Sequence, residues 1–289
     1  MKETLIDRLH NRVSQCGHVC VGLDTDPAYL PEGMLAEYPT PAEAVFAFNR
    51  AIIDKTLDIA AVYKVQIAYY EAMGLEGLCT YAKTLTYLRE HDAITIADVK
   101  RGDIAKTAEM YARSHFSGDF EADFMTWNPL MGMDTLEPFL PFVENHNKGI
   151  FALVATSNPG ASHIEGLVCS DGESVSEKIG SMVGEIAARY RGNCGYSPIG
   201  AVVGCTNRGQ TIRIREQLPG MFFLIPGYGA QGGKAEDMKD YMKDKNGGIV
   251  NSSRGILLAY KKADFAHLSF DEAARAETLR MRDDIKSAL

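Results

Sequence analysis

The side chains best suited to charge and proton chemistry gather in Asp98-Val99-Lys100-Arg101-Gly102-Asp103. A β-strand turns alternate residues to the same side, so Asp98 and Lys100 share one face while Val99 points toward a covering helix layer. Asp103 follows a glycine that permits a tight turn. Two further charges, Asp24 in VCVGLD and Lys64 in AAVYKVQ, end earlier apolar runs. Interleaved carboxylates and ammoniums in a water-poor place can stabilise developing charge and hand over a proton. A DxKxxD pattern alone is more often a solvated ion-pair cluster. Its position directly after the apolar ITIA, with opposite charges ending the two runs before it, favours a shared site instead.

A second constellation is Pro226-Gly227-Tyr228-Gly229-Ala230-Gln231-Gly232-Gly233, followed downstream by Asn251-Ser252-Ser253-Arg254-Gly255. Glycines let backbone N–H groups approach an anion, and a guanidinium can clamp phosphate oxygens with two parallel hydrogen bonds. A lone glycine-rich loop usually only turns the chain. This one follows the seventh apolar run and Arg254 follows the eighth, and together they favour phosphate binding. A third element, Ala155-Thr156-Ser157-Asn158-Pro159-Gly160, carries hydroxyls and an amide that could read a polar heterocycle edge. Helix capping by Ser157 or Asn158 explains it equally well. From there to about residue 173 apolar periodicity is weak, as in a lid or a long surface loop.

Positioning these groups requires strands that end on one side. Eight β-rich runs occur, at 19–24, 60–66, 94–100, 123–128, 149–157, 199–205, 222–227 and 249–254. Most are continuously apolar, as in parallel strands covered on both faces. Amphipathic stretches separate them. Thr40-Pro41-Ala42-Glu43, Ser174-Val175-Ser176-Glu177 and Ser269-Phe270-Asp271-Glu272 carry capping-box patterns, and Val45, Phe48, Ile52 and Leu57 recur at about helical spacing. Repeated β-then-α units without a composition break predict one α/β domain over residues 1–289, a single (β/α)8 TIM barrel whose strand ends open onto one face. A doubly wound open sheet is the structural alternative.

Composition narrows the partners. A net charge of −8 argues against a nucleic-acid surface. No apolar run reaches the roughly 18 residues of a membrane span, and the first residues lack the apolar stretch of a signal peptide. Six scattered cysteines without a CxxC pair predict reduced, mostly buried thiols in a cytoplasmic protein. None of the seven histidines has HxxxH spacing, so no structural metal site is expected.

Taken together, DVKRGDI with Thr107 beyond it, VGLD, YKVQ, TSNPG, PGYGAQGG and NSSRGI resemble, in order from about residue 19 to 256, the longer bacterial-type branch of the orotidine 5′-phosphate decarboxylase family. The resemblance implies decarboxylation of that nucleotide to UMP in de novo pyrimidine biosynthesis, with neither cofactor nor metal. It implies Lys100 as the proton donor to C6 and Asp98 against the substrate carboxylate, with Asp24 and Lys64 on the ribose hydroxyls. Asp103, Ile104 and Thr107 would enter the site of the other subunit in a homodimer. Ser157 would contact the pyrimidine, Gln231 and Arg254 the phosphate, and the loop holding Gly229 and Gly232 would close over it. The chain departs from the branch at Val65, usually proline, and at Leu130, usually tyrosine. Neither position carries chemistry. Related metal-dependent sugar-phosphate enzymes share DxK, and a non-catalytic phosphate-ligand sensor is a rival of another class.

Overall fold

Eight parallel strands follow one another around a closed ring: β1 (Val19–Gly22), β2 (Val62–Gln66), β3 (Thr95–Arg101), β4 (Phe124–Trp127), β5 (Gly149–Ala155), β6 (Ser197–Val203), β7 (Met221–Ile225) and β8 (Gly248–Ser252). Closure is made by β8 returning to β1, with Val19 opposite Val250 and Cys20 opposite Asn251. The computed structural model describes residues 3–205, 208–229 and 233–289. The α-helices are α1 (Leu5–Cys16), α2 (Pro41–Thr56), α3 (Ile67–Glu71), α4 (Gly74–Glu90), α5 (Ala105–Phe116), α6 (Leu140–His146), α7 (Val175–Ala187), α8 (Arg208–Gln217), α9 (Arg254–Leu257) and α10 (Phe270–Ala288). Each strand lies within or overlaps one of the eight apolar runs, and the sheet is a barrel rather than an open doubly wound one.

The apolar runs look uniform in sequence, but the barrel sorts them by alternation. Val19, Val21, Tyr63, Val65, Ala97, Val99, Met125 and Trp127 pack with the surrounding helices in one buried cluster. Cys20, Val62, Ile96, Phe124, Phe151, Phe222, Leu224 and Ile249 form a second one with Leu5, Ile6, Leu9 and Val13 of α1. Period-two geometry is therefore intact, with both faces apolar. The second cluster is the barrel interior, and α1 closes its N-terminal end. Size matching fills that interior. A Cβ at Gly149 would stand 2.2 Å from Phe124 Cε1, and one at Gly200 2.8 Å from Phe151 Cε1, so the glycines make room for large rings.

Helix starts follow their caps. Pro41 opens α2 behind Thr40, whose Oγ1 accepts from Glu43 N–H at 3.3 Å. Ser174 and Glu177 form a reciprocal capping box at α7. On α2, Val45, Phe48 and Ile52 are buried as predicted, and Phe48 stacks on Phe270 of α10 at 4.8 Å. Leu57 falls outside the helix as its C-cap and is only partly buried. The cysteine expectation needs correcting. All six are free, yet only Cys16 and Cys20 are buried and Cys79 is exposed.

Arg215 of α8 ties the outer layer to the barrel. Its buried guanidinium lies 3.7 Å from the Phe223 ring centroid and donates to the carbonyls of Leu218, Met221, Tyr241 and Gly247. No carboxylate pairs with it among the described residues, so carbonyl dipoles and the ring face replace its hydration. Arg215→Met should lower the unfolding free energy by about 2–4 kcal/mol through carbonyls left without donors, read as a shifted urea midpoint. An unchanged midpoint would show that the guanidinium is not a structural tie.

Candidate active site

Inward-facing residues just below the strand ends change character around the ring. From β2 to β4 they are Lys64, Asp98 and Thr126, and β8 supplies Asn251. From β5 to β7 they are Leu153, Val202 and Leu224, with Pro226 above. These line a cavity of about 350 Å³, within the range of small-molecule sites. One arc can therefore hold charge, and the other can accept an apolar ring face.

The charges are arranged in alternation. Lys64 Nζ lies 2.8 Å from Asp24 Oδ1 and 3.1 Å from Asp98 Oδ2, and Lys100 Nζ lies 2.6 Å from Asp98 Oδ1. Gln66 Nε2 donates to Asp98 Oδ2 at 2.9 Å, Thr126 Oγ1 donates to Oδ1 at 3.0 Å, and Ser253 Oγ donates to Asp24 Oδ2 at 2.8 Å. Lys64 and Asp98 are buried, whereas the Lys100 side chain is 49% exposed and reaches the cavity. Burial pushes the Asp98 carboxyl upward. The Lys64 and Lys100 ammoniums outweigh that effect and hold it at about 2. Burial pulls Lys64 down, but Asp24 and Asp98 more than reverse it and leave its pKa raised. Asp98 is therefore an anion at neutral pH, and its stabilising contribution is lost only as pH falls from its ordinary value of 3.8 toward 2.

The strand carrying Asp98 and Lys100 is not regular. Its register against β4 slips between Ala97 and Arg101, and Lys100 has φ 47°. An ideal alternating strand, as read from the sequence, is corrected here by a bulge, although both side chains still meet. Gln66 and Thr126 were not singled out by sequence. Thr126 left one signal, as the lone hydroxyl in the inward register of Phe124-Met125-Thr126-Trp127.

Ser157 lines the rim of the cavity beside Thr156 and Asn158. Neither Ser157 nor Asn158 makes a side-chain cap bond to the short 3-10 helix Pro159–His163. The stretch that follows is pinned back to this rim. Glu165 accepts from Thr156 N–H at 2.8 Å and from Thr156 Oγ1 at 2.6 Å. Farther along, Val175 and Ser176 donate their N–H groups to the carbonyls of Leu167 and Glu165.

The remaining candidates stand apart from the charge array within this chain. Asp103 accepts from Ile104 N–H at 2.8 Å, Ile104 and Thr107 are exposed, and no ion pair joins Asp103 to Lys100 among the described residues. Arg254 is exposed at the start of α9 and makes no ion pair among the described residues. Beyond β7, Gly227 at φ 98° and Gly229 at φ 68° use conformations natural to glycine, and Gly229 N–H donates to Gly233 O at 3.0 Å. Gln231 and Gly232 lie outside the described residues. Of the two departures, Val65 is buried and Leu130 is 76% exposed.

Known proteins share this architecture and its motifs. The family described as "Orotidine 5'-phosphate decarboxylase / HUMPS family" matches residues 17–267. A protein named orotidine 5'-phosphate decarboxylase from Clostridium kluyveri is 54% identical over 281 residues, covering 97% of each chain. One of the same name from Clostridium acetobutylicum is 53% identical over 285 residues, covering 99% of this chain and all of its own. The solved structure of Leishmania donovani OMP decarboxylase superposes with a TM-score of 0.77 at 28% identity, covering 99% of this chain and 98% of that one. No helix among the described residues is long and apolar enough to cross a membrane. With the motifs, the closed barrel and near-full-length relatives in agreement, the chain belongs to the orotidine 5′-phosphate decarboxylase / HUMPS family.

Proposed function

We propose that the chain decarboxylates orotidine 5′-phosphate to UMP and CO2 in de novo pyrimidine biosynthesis, as one catalytic barrel over residues 1–289, acting in the cytoplasm. The observation that carries this is the alternating Asp24–Lys64–Asp98–Lys100 array, set against the apolar arc of one cavity. Breaking the bond from C6 to the carboxylate leaves an electron pair on a ring carbon with no adjacent electron sink. Lys100 stabilises that pair as an ammonium and then transfers its proton to C6. Asp98, kept ionised by its neighbours, disfavours the bound carboxylate and is relieved as neutral CO2 departs. Leu153, Val202 and Leu224 take the pyrimidine face, Ser157 its polar edge, and Asp24 and Lys64 the ribose hydroxyls.

One contact of unit charges at ~4 Å supplies roughly 4 kcal/mol at an effective dielectric of 20, whereas enzymes lower barriers by about 8–23 kcal/mol. Phosphate binding by Arg254, Gln231 and the loop carrying Gly229 and Gly232 therefore contributes through closure over the substrate. Asp103, Ile104 and Thr107 complete the site of a second subunit in a homodimer. Supporting this, Ile104, Met110, Leu130 and Met131 are exposed apolar side chains on the same side of the barrel. Gly102, which a Cβ would bring to 2.5 Å from Asn128 O, keeps their two turns together.

Purified protein should convert orotidine 5′-phosphate to UMP, followed by loss of substrate absorbance, at the same rate with and without EDTA. Loss of activity on chelation would instead favour the metal-dependent sugar-phosphate relatives. Lys100→Ala should lower turnover by at least about 10²–10⁴-fold while UMP binding stays measurable by calorimetry. Near-normal turnover by the folded variant would remove Lys100 from the proton transfer. Mixing Asp98→Ala with Asp103→Ala subunits should recover activity, because one composite site in each heterodimer escapes both changes. Heterodimers without activity would count against a shared site.

A further inference from the structure

Between the pairs Ala97–Met125 and Arg101–Trp127, three β3 residues stand opposite Thr126 alone. Two extra residues are thus accommodated on β3, and the regular ladder with β4 is interrupted there. The Thr126 hydroxyl replaces it. Its Oγ1 accepts from Val99 N–H at 3.0 Å and from Lys100 N–H at 2.8 Å, and donates to Asp98 Oδ1 at 3.0 Å. Both lone pairs and the proton of one hydroxyl are in use. Thr126 is itself buried, so water has little access to replace these bonds.

The bulge has a definite effect on Lys100. In a regular strand, Lys100 would sit two residues, roughly 6.6 Å, beyond Asp98 along the strand axis. With φ 47°, the backbone is instead bent at Lys100, and the ammonium closes to 2.6 Å from Asp98 Oδ1. A left-handed backbone at a residue other than glycine costs of order 1–3 kcal/mol and persists only where neighbours enforce it. Thr126 is the neighbour bonded to the residue's own N–H.

We propose that Thr126 is a positioning residue whose hydroxyl holds the β3 bulge, thereby aiming the Lys100 ammonium over Asp98 and fixing where the proton is delivered. The inference rests on the decarboxylase reading and adds to it the group that aims its acid. Valine matches threonine in shape but leaves two backbone N–H groups and one carboxylate oxygen without this partner. The strand can then relax toward a regular ladder, and Lys100 moves outward. Serine keeps the hydroxyl and loses only a methyl group.

The test is steady-state kinetics on orotidine 5′-phosphate for wild type, Lys100→Ala, Thr126→Val and Thr126→Ser. Thr126→Val should lower kcat about 10²-fold, the scale of a reacting group misplaced by an ångström, with KM within about threefold of wild type. Thr126→Ser should stay within about tenfold of wild type, because a group on the hydroxyl itself restores the bulge. A valine variant with wild-type kcat, or a serine variant as impaired as valine, overturns the proposal. The second result would place the effect in methyl packing. If the valine protein does not fold, Thr126→Cys replaces it under the same two criteria, since a thiol bonds weakly. An inactive wild type or an active Lys100→Ala overturns the decarboxylase reading itself, whereas an active wild type with an unaffected valine variant overturns Thr126 alone.

Discussion

A carboxylate kept ionised between two ammonium groups is the interaction on which the rest of this site depends. Asp98 is buried, and burial alone would neutralise it. Lys64 and Lys100 prevent that, and Gln66 and Thr126 supply hydrogen bonds to the same two oxygens. Each partner comes from a strand or strand end that must be held at one depth. A parallel barrel does this because its strands all finish on one side. The interior glycines and phenylalanines, the helix plug α1 and the buried Arg215 maintain that frame from the opposite end.

The polar groups occupy one continuous arc, from β8 through β1 to β4, and the apolar groups the other, from β5 to β7. This division separates charge chemistry from ring recognition around the cavity. It also explains the economy of the charged set. Lys64 serves two carboxylates at once, and Lys100 alone reaches into the open volume. The second ammonium is structural in its burial and electrostatic in its effect.

Much of this was legible in the residues. Continuous apolar runs separated by capped amphipathic stretches required parallel strands covered on both faces, and charges ending three successive runs required a common site. Closure was not legible, because an open sheet produces the same runs. Nor was the bulge at Lys100, since it arises from a register slip between two strands and from φ 47° at a residue whose type does not favour it. Gln66 and Thr126 were hidden for a related reason. Their importance lies in which oxygen they touch, and period-two reading supplies a face but not a partner. Ser157 was singled out at the rim and lies there, while the role of Glu165 in pinning that rim depends on a fold-back that weak periodicity could not predict.

One bond gives the array a place in time as well as in space. Ser253 and Asp24 are separated by 229 positions in the chain and meet only where β8 lies beside β1. Contacts of such long range form late, because the intervening chain must already be ordered. Until that seam closes, Asp24 lacks its Ser253 partner, and the β1 side of the Asp24–Lys64 pair stands open to water. The last strand to emerge during synthesis therefore completes the network that the second and third strands began. Partly folded forms hold the charges without the dry enclosure that gives them their strength, and catalytic competence arrives together with the completed ring.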